Sequence, residues 1–197
     1  MGKIATRRAI LGAALQLFTS RGFHDTSTAR IAREAGVATG TVFHHFQSKP
    51  DLVDALQKLI AGNRRRLLAE AVDGEASLRD QLRALLLAEV RWAVDHPDQD
   101  QYLRLCRLAP DLAPDARPDD PEEVPVVVEV MARGREQGEL RDLPPRLLAS
   151  GFLGLATALS SHVRRDPHEL DDPAFVDGAV AMVWSALSRP LARAAAG

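Results

Sequence analysis

An all-α fold is what this sequence predicts, and three observations carry the prediction. Apolar residues recur three and four positions apart through most of the chain. Nothing alternates at period two for long. Proline, glycine or a capping pair punctuates one run after another. The composition agrees: of 197 residues, 46% are hydrophobic but only 5% aromatic, and Ala, Leu and Arg dominate, which favours helix over sheet and can fill a core.

Ile10, Ala14, Leu17 and Phe18 mark a first helix over about 4–21, stopped by Gly22. Thr26, Ser27 and Thr28 offer N-cap hydroxyls to a second, short helix whose stripe is Ile31, Ala32 and Ala35, and Gly36 ends it as a left-handed C′ residue. A third short helix follows at about 39–45, with Val42, Phe43 and Phe46 as apolar contacts. Ser48 and Asp51 form a capping box for a fourth, with Leu52, Leu56, Leu59 and Ile60 inside.

Ser77 and Asp80 open the next helix, which His96-Pro97 closes, and another spans about 98–108. Residues 109–121 contain four prolines and read as a loop. A helix begins at Asp120-Pro121-Glu122-Glu123 and runs to about Gln137, with Pro125 disturbing its first turn. Pro144-Pro145 opens one to about Arg164, and Asp172-Pro173 caps the last, which ends before Pro190. The predicted division is a three-helix head over 1–48, continued by the start of a linking helix to about 60, and a larger helical domain over 49–197.

Net charge is −2, but it is unevenly spread: residues 1–50 carry +5 and the remainder −7. A basic head on an acidic body suits a partner that is a polyanion and meets only the head. The single cysteine, Cys106, allows no disulfide within the chain, and no apolar run is long enough to span a bilayer, so the expected location is the cytoplasm.

Residues 27–46 hold the informative constellation. Two short helices joined by a tight glycine turn match the helix-turn-helix plan. Ala32 must be small where the helices cross, Gly36 sits at the turn, and Val37 and Val42 fill the wedge. Thr39, Gly40, Thr41, His44 and His45 are left to face outward, with short or planar groups suited to a major groove.

Here the sequence resembles the DNA-binding domain of the TetR family. The resemblance covers about 1–60 and rests on Arg8-Ala9-Ile10-Leu11, Ala13-Ala14-x-x-Leu17-Phe18, Gly22-Phe23, Thr26-Ser27 and Ile31-Ala32-x-x-Ala35-Gly36-Val37. Gly40-Thr41-Val42-Phe43-x-His45-Phe46 and Ser48-Lys49-x-x-Leu52 complete it. It implies that Thr26 and Ser27 touch phosphates, that Thr39, Thr41 and His44 reach the groove, and that His45 and Lys49 hold the DNA backbone. Phe43 stands where the family usually has a tyrosine whose hydroxyl contacts a phosphate, and Ala38 where it often has a serine cap, worth roughly 1 kcal/mol. The implied partners are double-stranded DNA, a second copy of the chain and a small-molecule effector, and the implied role is a repressor released from a palindromic operator.

Downstream, two helices carry broad apolar faces. On about 144–164, Leu148, Phe152, Leu155 and Leu159 form a stripe beside a small-residue ridge of Gly151, Gly154 and Ala158. On about 173–189, Val176, Val180, Val183 and Leu187 lie next to Phe175, Ala179, Met182 and Ala186. These two helices are expected to pair with a partner chain, against the plainer reading of a buried helix pair. Trp92, Tyr102, Cys106, Met131 and Phe152 are the candidate lining of a mostly apolar effector pocket, although core packing explains each as well.

Other features read as structural. Adjacent side chains on a helix diverge by about 100°, so His44 and His45 are not a metal pair. Cys106 among leucines reads as a buried, inert thiol, and Arg64-Arg65-Arg66 as a solvated face. With no nucleophile elbow, phosphate-cradling loop or His-Glu-x-x-His, no catalytic residue, metal or cofactor is called for. Two other classes stay open: a DNA-binding protein whose C-terminal domain only dimerises or meets a protein, and an enzyme or carrier on a helical scaffold.

Overall fold

The computed structural model describes residues 2–74, 76–108 and 124–190. Its helices are α1 (Lys3–Arg21), α2 (Thr28–Glu34), α3 (Thr39–His45), α4 (Lys49–Ala71), α5 (Leu78–Asp95), α6 (Pro97–Leu108), α7 (Pro125–Glu136), α8 (Pro145–Val163) and α9 (Pro173–Leu187). There is no strand among the described residues; one isolated antiparallel bridge joins Leu140 to Ser188. The all-α expectation holds, as do most helix limits. The proline-rich run 109–121, and the expected helix start at 120–123, lie outside the described residues. The described helix begins at Pro125, which takes the first position, where its missing N–H costs nothing.

The chain forms two compact units. The first comprises 2–63 with 96–108, the second 64–95 with 124–190. This differs from a cut at residue 48: α4 contributes to both units, and α6 groups with the head.

In the first unit, α1 buries Ile10, Leu11, Ala14, Leu17 and Phe18. Phe18 and Phe23 pack against Tyr102 of α6, with ring centroids 6.1 and 5.7 Å away, and the Tyr102 hydroxyl donates to the Val53 carbonyl at 2.9 Å. That is why α6 belongs here. Leu59, expected inside, is 43% exposed, because Leu56 and Ile60 already occupy the buried face of α4.

In the second unit, Leu82, Leu85, Leu86 and Val90 of α5, Val127, Val130 and Met131 of α7, Leu148, Phe152 and Leu153 of α8, and Val176, Val180 and Val183 of α9 make one apolar core. The expected N-caps form: Asp80 N–H donates to the Ser77 hydroxyl at 3.2 Å, and Ala174 N–H to the Asp172 carboxylate at 2.9 Å. A 3-10 turn at Pro167–Asp171, unforeseen in the sequence, precedes α9. At the end of α7, Gly138 has φ +75°, and Glu139 N–H returns to the Gly134 carbonyl at 3.0 Å, the double-bonded C-terminal closure that only a left-handed residue permits.

Arg64 departs most from its expected setting. It is 3% exposed and paired with Glu89 of α5, rather than solvated with Arg65 and Arg66. Its position on α4, four residues after Ile60 and four before Leu68, places it on the buried stripe.

Candidate nucleic-acid interface

The second and third helices are set by local chemistry. Ser27 caps α2 by accepting from Arg30 N–H at 3.2 Å. Gly36, at φ +66°, lets Gly36 N–H reach the Arg33 carbonyl (3.2 Å) and Val37 N–H the Ala32 carbonyl (2.9 Å). The chain then reverses within three residues, and half-buried Val37 lies over Ala32. Val42, 1% exposed, anchors α3, and Phe46 is buried just beyond it. Ala38 caps α3 with no side-chain bond, and Thr39 does not replace the missing hydroxyl.

With Val42 turned inward, Thr39, Gly40 and His44 are exposed and Thr41 is partly so. Ser27 is exposed as well. Phe43, expected both as an apolar contact of this helix and as a member of the DNA-facing set, is 50% exposed, because Val42 and Phe46 take the inward positions. It therefore stands with the outward set. The imidazoles of His44 and His45 lie 5.6 Å apart, centroid to centroid, and nearly perpendicular. Burial, and then the positive charges of His44, Lys3 and Arg7, hold His45 below the ordinary imidazole pKa. Exposed Lys3, Arg7, Arg8 and Arg33 make this unit basic at its surface, and the Arg7 guanidinium lies 5.2 Å from the Phe46 ring centroid.

One expected contact is corrected, and another residue of the set is bonded within the unit. Thr26 is fully buried, and its hydroxyl donates to the Gly22 carbonyl at 2.8 Å, tying the end of α1 to the start of α2 rather than facing a phosphate. The Lys49 ammonium donates to the Phe23 carbonyl. Its burial lowers the amine pKa, opposed by the nearby Asp25 carboxylate. Lys49 thus closes the α1–α2 loop.

The five candidate pocket residues are all buried, two in the first unit and three in the second. Tyr102 and Cys106 sit in the first unit, where burial pushes the phenol pKa upward and raises the thiol to about 11. Trp92 lies under the Arg64 guanidinium, 5.8 Å from its ring centroid, and Met131 and Phe152 belong to the second unit's core. A wholly apolar cleft in that unit is lined by none of them. Leu86 and Val90 of α5, Val163 of α8, Leu170 of the 3-10 turn, and Phe175 and Ala179 of α9 are among its walls. No helix among the described residues is long and apolar enough to cross a membrane.

Comparison with known proteins points the same way. The family described as bacterial regulatory proteins, tetR family, matches residues 10–56. The "Putative mycofactocin biosynthesis transcriptional regulator MftR" of Mycobacterium tuberculosis is 30% identical over 170 residues, 82% of this chain and 81% of that protein. The HTH-type transcriptional repressor KstR2 of Rhodococcus jostii is 35% identical over 81 residues, which span 39% of this chain and 40% of that one. The crystal structure of "a putative tetR family transcription regulator" from Shewanella sp. PV-4 superposes with a TM-score of 0.85 at 31% identity, over 93% of this chain and 98% of that one.

Proposed function

The chain belongs to the TetR family of bacterial regulatory proteins, and from that premise we propose that it is a dimeric repressor released from a palindromic operator by a small apolar effector. The observation that carries the reading is the outward face of α3. Thr39, Gly40 and His44 stand clear of the fold, with Thr41 partly exposed beside them, while Val42 locks the helix from behind. Short hydroxyls and an imidazole on a rigid helix can enter a major groove and bond base edges. Ser27, Phe43 and His45 flank that face, and the surrounding arginines supply sequence-independent attraction to phosphates.

Dimerisation is proposed through α8 and α9. Gly151, Gly154 and Ala158 are exposed along one face of α8, and Ala174, Gly178, Ala181 and Met182 along one face of α9. Rows of small residues let helices approach closely, and an exposed methionine beside them supports burial against a second copy. A two-fold dimer presents two copies of α3, so the operator would be palindromic with half-sites about 34–36 Å apart or a multiple of that. Such a target would place the protein in the cytoplasm.

The effector is proposed to enter the apolar cleft between α5, α8 and α9, parting Leu170 from Phe175. Complete release would require it to favour the non-binding dimer by about 5.5 kcal/mol.

A salt-titrated binding assay tests the reading, using duplex from upstream of the protein's own gene, a scrambled duplex, and the Thr41→Ala, His44→Ala variant. Tight binding centred on a palindrome, lost in the variant, is expected. Equal, weak binding to both duplexes at physiological salt would remove α3 as a sequence reader.

A further inference from the structure

We propose that the cleft beside the C-terminal end of α9 binds a small organic oxyanion, a carboxylate or phosphate carried on a flat apolar body. The proposal concerns the second unit alone and does not rest on the DNA-binding reading.

The cleft is built by the isolated bridge. Arg141 N–H donates to the Leu187 carbonyl at 3.0 Å, and Arg189 N–H to the Glu139 carbonyl at 2.8 Å, on either side of the Leu140–Ser188 pair. This register makes Arg141 and Arg189 diagonal neighbours, a relation that sets residues about 7–8 Å apart. Two like charges are thereby held close by backbone bonds, with Glu139 directly opposite Arg189 in the same register. Gly138, Trp184, Ser185 and Pro190 complete the walls around about 870 Å3 of open space, within the range of small-molecule sites.

The donors facing this space are unspent. Among the described residues neither guanidinium makes an ion pair or side-chain hydrogen bond, and the hydroxyls of Ser185 and Ser188 make none either. The Arg141 Nε is fully buried and has no acceptor. Because that nitrogen is closed off from the cleft, an oxyanion there would meet the guanidinium at its terminal nitrogens and neutralise a charge that nothing else among the described residues of the unit pairs. The arginine fork matches the two oxygens of a carboxylate or phosphate. Glu139 also lines the cleft and leaves it, with the two arginines, at one net positive charge, enough to favour a monoanion.

Trp184 supplies the apolar wall. Its ring has the Arg79 guanidinium 5.9 Å from its centroid and also borders the cleft. An aromatic or acyl body can lie against the indole while its anionic group meets Arg141 and Arg189.

The full chain should be titrated with benzoate, phenyl phosphate and inorganic phosphate, each against sodium chloride at matched ionic strength, with tryptophan fluorescence and thermal melting as readouts. A saturable fluorescence change and a raised Tm with benzoate or phenyl phosphate are expected. The tighter of the two identifies the anionic group, and inorganic phosphate, lacking a ring, should bind more weakly. Trp184→Phe should abolish the optical signal. Arg141→Gln and Arg189→Gln should each weaken binding by about tenfold or more, the loss of one charge-assisted bond. Arg189 is exposed, so Arg189→Gln stands as the test if Arg141→Gln folds poorly. Responses no larger than those to chloride, or Arg189→Gln binding as well as the parent, would overturn the proposal.

Discussion

Arg64 and Glu89 form an ion pair in the interior of the second unit: Nε lies 2.9 Å from each carboxylate oxygen, and a terminal guanidinium nitrogen lies 2.6 Å from one of them. Residues 64 and 89 are 3% and 5% exposed, so neither charge can fall back on water if its partner is removed. Arg64→Met or Glu89→Leu alone should therefore cost about 3–5 kcal/mol, whereas the double variant Arg64→Met, Glu89→Leu should recover most of that loss. Urea unfolding of the four proteins gives the coupling directly. Single variants within about 0.5 kcal/mol of the parent, the range of ordinary surface substitutions, would show that the pair is structurally idle.

Phe43 is half-exposed on the outward side of α3 and has no hydroxyl to offer a phosphate. Phe43→Tyr should tighten DNA binding by about two- to tenfold, corresponding to one added hydrogen bond of 0.5–1.5 kcal/mol. Stability should hardly change. Fluorescence anisotropy at fixed salt, beside a melting curve, checks both halves of this expectation.

Gly134 is buried, and a methyl group there would come within 2.6 Å of Leu78 Cδ2 and 2.8 Å of Leu140 Cδ1. Alanine is the better helix former by about 1 kcal/mol, but overpacking of a closed site costs about 1–3 kcal/mol. Because Leu140 is anchored by the backbone bridge and can yield little, the clash should win. Gly134→Ala should lower the Tm, and a neutral or raised Tm would mean that the two leucines repack freely.

Cys106 is buried beside Tyr102, and burial raises its pKa from about 9 to about 11, partly offset by a hydrogen bond with the phenol. The folded protein thus holds this proton more tightly than the unfolded chain. Its contribution to stability is fully present below about pH 9 and is lost as the pH climbs through about 11. Tyr102, raised in the same direction by burial, adds to the alkaline loss. Cys106→Ala should flatten the stability profile over that interval, and the native thiol should react slowly with disulfide reagents at pH 8. Rapid labelling of folded protein would contradict the buried setting.

Local chemistry made the head legible from sequence. Gly36 is where only a left-handed residue turns the chain, Val42 is the inward member of a seven-residue helix, and Ser27 caps as its side chain dictates. What escaped depends on partners outside the residue's own helix. Thr26 and Lys49 look like solvent-facing polar groups until the Gly22 and Phe23 carbonyls are placed beside them. Arg64 is the case where a signal existed: it falls in step with Leu56, Ile60 and Leu68, as Glu89 does with Leu82, Leu85 and Leu86. Two opposite charges interrupting two apolar stripes announce each other, whereas a triplet of arginines suggests only a solvated surface. A pocket lining is hard to read from sequence for a related reason. Large side chains such as Tyr102 and Phe152 fill space as readily as they border it, and period alone does not separate the two.

The docking of Tyr102 against Phe18 and Phe23 bears on how this regulator can be re-engineered. A head exchanged between relatives at the end of the recognisable motif would leave behind the segment 97–108. Phe18 and Phe23 would then meet a foreign surface, and the Val53 carbonyl would lose its donor. The transplantable module is discontinuous, and a working hybrid must carry α6 along with the first 63 residues.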